Sequence, residues 1–125
     1  MAKPKILIID DEAIVRISCE KCLLPEGYDV DSAENGIVGL RLVESNTYDL
    51  ILTDLKMPDM DGIEFLAKIR ETHPKTKVIM ITGYSTTEHA EQAMRSGAYN
   101  YIEKPFIPET LVKAVKEALS GTAKS

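Results

Sequence analysis

Apolar positions along the chain fall into five short runs, at residues 5–9, 28–31, 50–53, 78–81 and 99–102, and a stretch of helical period follows each. Three runs are continuous: Ile6-Leu7-Ile8-Ile9, Leu50-Ile51-Leu52 and Val78-Ile79-Met80-Ile81. Such runs suit parallel strands covered on both faces. The second, Tyr28-Asp29-Val30-Asp31, alternates polar and apolar and suits an exposed edge strand. Strict alternation of strand and helix predicts parallel strands joined by right-handed crossovers. The expected fold is a (βα)5 doubly wound three-layer α/β sandwich of the flavodoxin-like type. Strand order 2-1-3-4-5 puts the apolar strands inside and the alternating strand at an edge.

The helix ends are marked. Asp61-Gly62-Ile63-Glu64 and Ser85-Thr86-Thr87-Glu88 both fit a capping box, with Asp61 and Ser85 as N-caps. Pro108 suits the first turn of the last helix and Gly121 its stop. Gly97 can close the fourth helix, and Pro25 with Gly27 the first, whose apolar positions read Ile14, Ile17, Cys22, Leu23 and Leu24. The fourth helix, residues 86–96, offers only Ala90, Ala93 and Met94 as apolar anchors. Two alanines bury little area, so a loosely held helix is expected.

Length and composition narrow the picture without deciding it. The chain has 125 residues, 44% hydrophobic and 28% charged, consistent with one domain over residues 1–125. Its core is expected over 4–120, with 121–125 a polar tail or linker stub. No apolar run approaches the ~18 residues a membrane span requires. The first residues lack a signal-peptide pattern, so a cytoplasmic location is expected. The net charge is −5 and the 15 basic residues are scattered, which argues against direct nucleic-acid binding by this domain. Cys19 and Cys22 form a C-x-x-C pair, but there is no second pair, and they sit inside a helical pattern. They read as reduced, partly buried thiols.

The chemistry gathers at the strand ends. In a parallel sheet every carboxyl end points to one edge, and ligands bind there, where the strand order reverses. The first strand delivers Asp10 and Asp11, the third Asp54, the fourth Thr82 and the fifth Lys104. A lone acidic loop residue is often just solvated, Asp11 alone reads as a helix N-cap, and Asp54 alone as ordinary turn chemistry. Taken together, three carboxylates, a hydroxyl and an ammonium should converge. Adjacent carboxylates repel unless a cation offsets them, and Mg²⁺ takes carboxylates, water and phosphoryl oxygens.

With these tips in place the sequence resembles the response-regulator receiver domain of two-component signalling. The resemblance covers about residues 4–120. It rests on Asp10-Asp11-Glu12, on the TDLKMPDMDG stretch from Thr53 to Gly62, on Thr82-Gly83, and on Lys104-Pro105-Phe106. It implies phosphoryl transfer from a sensor histidine kinase or a histidine phosphotransfer protein to Asp54. It further implies Mg²⁺, or Mn²⁺ in its place, held by Asp11, Asp54 and the Lys56 backbone carbonyl, with Asp10 supporting. Thr82 and Lys104 would bind phosphoryl oxygens. Gly83 would leave room for them, and a cis Lys104–Pro105 bond would turn the lysine inward. Lys56 and Tyr84 would flank the path of attacking water and slow hydrolysis. Thr82 and Tyr101 would form a switch that remodels the surface of the fourth helix, fifth strand and fifth helix, through which an output domain or downstream protein is engaged. Such a domain is a phosphoacceptor that assists its own Mg²⁺-dependent phosphorylation and dephosphorylation, rather than an enzyme acting on others. The resemblance allows a phosphorylation-dependent homodimer and a role in transcription regulation, and implies no membrane partner.

Three rivals fit less well. A haloacid-dehalogenase phosphatase wants D-x-D after its first strand, and here Ala13 stands beyond Asp10-Asp11. A flavodoxin-like cofactor module wants Ser, Thr and Gly in a loop that here is acidic. A receiver that only binds partners would have lost site residues, and all are present. His73 and His89 match no motif and are expected at the surface.

Overall fold

The computed structural model describes residues 3–83 and 86–120. Its elements are β1 (Lys5–Ile9), α1 (Ala13–Leu23), a 3₁₀ turn (Leu24–Glu26), β2 (Asp29–Ala33), α2 (Gly36–Ser45), β3 (Leu50–Thr53), α3 (Gly62–Thr72), β4 (Lys77–Thr82), α4 (Thr87–Arg95), β5 (Asn100–Glu103) and α5 (Pro108–Leu119). The five strands form one parallel sheet in the order β2-β1-β3-β4-β5. Fold and strand order are those expected from the pattern of apolar runs.

Each face of the sheet carries its own apolar layer. Successive side chains in a strand point to opposite faces, so Ile6 and Ile8 go one way and Leu7 and Ile9 the other. Ile6, Ile8, Leu50, Leu52, Ile79 and Ile81 pack under α1 and α5, against Cys19, Leu23, Leu111 and Val115. Leu7, Ile9, Ile51, Val78 and Met80 meet α2, α3 and α4 through Val43, Phe65, Leu66, Ile69 and Ala93. Each fully buried Leu, Ile or Phe contributes about 1.5–3 kcal/mol of transfer free energy. The three central strands are therefore the rigid frame of the molecule.

Several local expectations shift. β2 begins at Asp29 and runs to Ala33, because Asp29 donates its N–H to the Pro4 carbonyl (2.9 Å) and pairing continues as far as Ile9 with Ala33. Asp31 is thus inside the strand beside Leu7 and accepts a hydrogen bond from the Tyr48 hydroxyl at 2.7 Å. β4 gains one residue at each end, and β5 starts and stops one residue later than expected. On α1 the buried positions are Cys19 and Leu23, with Val15 and Cys22 packed beside them, while Ile14 (68% exposed) and Ile17 (45%) face outward. The period of α1 is as expected but its inward face is turned. Both cysteines are free thiols, and burial pushes Cys19 up to about 12.

Asp61 caps α3 by accepting the Glu64 N–H at 2.8 Å. α4 is capped by Thr86, which accepts from the His89 N–H at 3.1 Å, one residue later than expected. Gly27 and Gly97 take φ of 91° and 107°, the left-handed region that favours glycine, where the 3₁₀ turn and α4 end. Ser85 and Gly121 lie outside the described residues. Among the described residues no helix is long and apolar enough to cross a membrane.

α4 buries only Ala93, and its Met94 is 41% exposed, whereas α5 buries Leu111, Ala114, Val115 and Ala118. Amide hydrogen exchange is expected to be at least about tenfold faster across α4 than across α3 and α5, a difference of about 1.4 kcal/mol in opening free energy. Equal protection of the three helices would count against this.

Candidate functional site

The site is assembled by residues one step beyond the strands. Asp54 stays in register after Thr53 because its N–H donates to the Ile9 carbonyl at 3.1 Å. Asp10 is held likewise by the Ala33 carbonyl at 3.2 Å. The Lys104 N–H donates to the Thr82 carbonyl at 2.9 Å, which fastens the β5 tip to the β4 tip, and the Lys104–Pro105 bond is cis. Four chain segments far apart in sequence, at the ends of β1, β3, β4 and β5, thus present polar side chains at the carboxyl edge of the sheet.

One ammonium ties them together. Lys104 Nζ lies 2.8 Å from Asp10 Oδ2, 2.9 Å from Asp54 Oδ2 and 3.4 Å from Glu12 Oε1. Asp10 and Asp54 are almost fully buried. The other Asp10 oxygen accepts the Glu12 N–H at 2.9 Å, and the other Asp54 oxygen accepts the Lys56 N–H at 3.3 Å. Asp10, Asp11, Glu12 and Asp54 each offer a carboxylate oxygen, and these four lie within 4.8 Å of one another. A cavity of about 530 Å³ opens in front of them, lined by Asp11, Glu12, Asp54, Lys56, Met57 and Pro58.

The electrostatics follow from burial. Burial raises the Asp10 carboxyl above the ordinary carboxylate range, and the Lys104 ammonium and Glu12 amide draw it partly back. Burial also disfavours the Lys104 ammonium, but its bonds to Asp10 and Asp54 outweigh this and hold the lysine well above its ordinary value. Four carboxylates against one ammonium leave negative charge in excess. The donors are all hard oxygens, as a hard divalent cation requires. By its donor chemistry the cluster fits such an ion.

The remaining expected residues are placed as follows. Thr82 is fully buried at the end of β4. Gly83 is exposed, and a Cβ there would meet nothing within 4 Å, so the fold itself leaves the space beside it open. Tyr101 is half-buried, pairs in register with Met80, and packs against the apolar layer that also holds Ala93 of α4. Tyr84 lies outside the described residues. His73 and His89 are both half-buried, less exposed than expected: His73 caps α3, and His89 lines a cavity of about 290 Å³ with Lys56 and Asp61.

Three further contributors did not stand out as site residues. Glu12 belongs to the acidic run, yet only the fold shows its carboxylate beside Lys104. Arg16, one helical turn further on, donates through its guanidinium to the Asp10 carbonyl at 2.5 Å. Gly62 is required by close approach, since a Cβ there would fall 2.4 Å from the Asp54 carbonyl oxygen and 2.9 Å from Leu55 Cα. Its N–H also donates to the Leu55 carbonyl at 2.7 Å. The start of α3 is therefore pressed directly against the backbone that carries Asp54.

A parallel 2-1-3-4-5 sheet with an acidic cluster and a lysine at its carboxyl edge carries its polar groups where doubly wound α/β domains bind ligands. The chain belongs to the response regulator receiver domain family, whose model matches residues 6–116. It is similar to the regulatory protein AtoC of Escherichia coli (38% identical, 92% of this chain, 25% of that protein). It is also similar to the transcriptional regulatory protein SrrA of Staphylococcus aureus (39% identical, 94% of this chain, 48% of that protein). The chain therefore spans about a quarter and about half of these relatives. Among solved structures it resembles a CheY-like receiver domain protein from Methanospirillum hungatei, with a TM-score of 0.92, 38% identity and 96% of both chains covered. The phosphatase and cofactor-module readings fall with this assignment.

Two outcomes follow from the geometry. Lys104→Met leaves Asp10 and Asp54 buried without their counter-charge. It should cost about 2 kcal/mol at neutral pH in urea unfolding, below the ~3–5 kcal/mol of a fully enclosed pair because the cavity admits water. In the wild type, the stability supplied by Lys104 is complete below the ordinary lysine value of 10.5 and is lost as the pH climbs above it. Asp10 has the opposite effect: its folded value is raised, so its ionisation costs stability as pH rises above 3.8. The deficit of the variant should accordingly shrink in acid, and a deficit constant from pH 4 to 8 would contradict this. Gly62→Ala should destabilise by about 1–3 kcal/mol, as overpacking does, and a variant of wild-type stability would show that the α3 start is free to shift.

Proposed function

We propose that the chain is the phosphoacceptor of a two-component relay, taking a phosphoryl group from a phosphohistidine of a sensor kinase or phosphotransfer protein onto Asp54. The observation that carries this is the Lys104 ammonium bridging buried Asp10 and Asp54 beside an open cavity onto which Asp11, Glu12 and Asp54 face. In this reading an Asp54 carboxylate oxygen attacks phosphorus in line. The phosphorus–nitrogen bond of the donor breaks, and the imidazole leaves with its electron pair. Asp11, Asp54 and the Lys56 carbonyl hold Mg²⁺ (or Mn²⁺), with Asp10 supporting. The ion supplies charge neutralisation for the transferring group.

The chain's own residues do the rest. Lys104 offers an ammonium, and Thr82 a hydroxyl, to the phosphoryl oxygens, so both act by positioning and charge stabilisation. Gly83 contributes an N–H in a spot where no side chain crowds the entering group. Lys56 and Tyr84 restrict water. The chain thus assists its own Mg²⁺-dependent phosphorylation and dephosphorylation.

The response is read on the face formed by α4, β5 and α5. Thr82 moves toward the phosphoryl group, Tyr101 turns inward, and α4 shifts because little area anchors it. The output is an attached domain or a downstream protein, with transcription control among its uses and a phosphorylation-dependent homodimer as one form. AtoC and SrrA, which extend well beyond the matched segment, support this reading. The acidic balance of the chain argues against direct contact with nucleic acid, and the place of action is the cytoplasm.

Incubation with Mg²⁺ and acetyl phosphate should add one phosphoryl group by intact mass. Asp54→Ala should add none, and chelation of the ion should abolish the adduct. Thr82→Ala should slow labelling about 10²-fold, as loss of one transition-state donor does. An adduct on the Asp54→Ala protein would overturn the assignment.

A further inference from the structure

We propose that Glu12 is a positioning residue that takes over Lys104 when a divalent cation is held by Asp11 and Asp54 with Asp10 supporting; this rests on the proposed metal site. Lys104 lies within 3 Å of one oxygen on each of those two acids. Both carboxylates belong to the cluster suited to a hard divalent ion. A dication and an ammonium competing for the same carboxylates repel each other. Lys104 must therefore loosen at least one bond, and a lysine freed among buried groups needs another partner.

Glu12 is built for this. It is the N-cap residue of α1, a position where an acid ordinarily accepts from the helix N–H groups, yet it makes no side-chain cap bond. Its carboxylate lies 3.4 Å from Lys104 Nζ instead. The side chain is 59% exposed, against 3% for Asp10 and 6% for Asp54, so it alone of the three acids around Lys104 can move with the ammonium.

The cavities give the direction of travel. Asp11, Asp54 and Lys56 line the cavity in front of the acidic cluster, and Lys104 does not. Lys104 lines a second cavity of about 390 Å³ on the α1 side, with Ile14, Val15, Ser18, Pro105 and Phe106. Among the described residues Glu12 alone lines both. The cation enters on one side, the ammonium withdraws to the other, and Glu12 stands on the boundary. A phosphoryl group that later gains negative charge at Asp54 finds Lys104 still within reach.

The test is a double-mutant cycle on Mg²⁺ affinity by titration calorimetry, using the wild type, E12Q, K104M and E12Q/K104M. Glu12→Gln should weaken Mg²⁺ about tenfold when Lys104 is present and about twofold or less when it is absent, a coupling typical of groups in contact. Equal losses in both backgrounds would mean that Glu12 acts only as nearby negative charge or as a ligand, and would overturn the inference while leaving the site reading intact. Absence of Mg²⁺ binding by the wild type would overturn both. Because K104M loses stability, a second measurement needs no change at Lys104. The ¹H–¹⁵N signal of the Lys104 ammonium should persist in the Mg²⁺-saturated wild type and vanish in Mg²⁺-saturated E12Q. Its persistence in E12Q would equally overturn the inference.

Discussion

The carboxyl edge of this sheet is held together by an ammonium among carboxylates. Asp10 and Asp54 are brought side by side by the pairing of β1 with β3 and are almost fully buried there. At an effective dielectric near 20, two unit charges 4 Å apart interact by about 4 kcal/mol. Repulsion between buried acids is therefore comparable to a large share of a domain's net stability. Lys104 offsets it, and the bond from its N–H to the Thr82 carbonyl fixes the β5 tip that carries the side chain.

The offset is incomplete. A single ammonium cannot satisfy four carboxylates, so the edge retains an appetite for positive charge. The surrounding frame cannot relax to relieve it. β1, β3 and β4 are buried on both faces, and α3 begins with Gly62 set against the Asp54 backbone, so the acids stay where the sheet puts them. A rigid edge with excess negative charge and hard oxygen donors has the chemistry that a hard divalent cation requires.

Rigidity is unevenly distributed, and this too has a physical cause. α5 presents Leu111, Ala114, Val115 and Ala118 to the sheet, while α4 presents chiefly Ala93. Tyr101 packs in the same layer as Ala93, so the aromatic ring and the weakly anchored helix share one boundary. Little buried area therefore holds α4 at that boundary.

The fold was legible in the sequence because its cause is local. Continuous apolar runs suit strands covered on both faces, and the alternating second run suits an edge; pattern alone also admitted a competing five-stranded order, and the structure has 2-1-3-4-5. The identities at the strand tips were legible for the same reason: a parallel sheet sends every carboxyl end to one side, which brought Asp10, Asp11, Asp54, Thr82 and Lys104 to attention before any coordinates. What the chain alone did not disclose depends on which way a side chain turns. Ile14 and Ile17 share the period of α1 but face outward, because rotation of the helix is set by its packing against β1 and α5. Asp31 lies in the interior of β2 because its register comes from β1. Glu12 is merely the last acid of the Asp10-Asp11-Glu12 run in one dimension and becomes a partner of Lys104, 92 residues away, only when the strands are assembled into the sheet. Periodicity and burial are summed along the chain and are visible in it. The meeting of charges across a sheet is fixed by tertiary packing and is decided there.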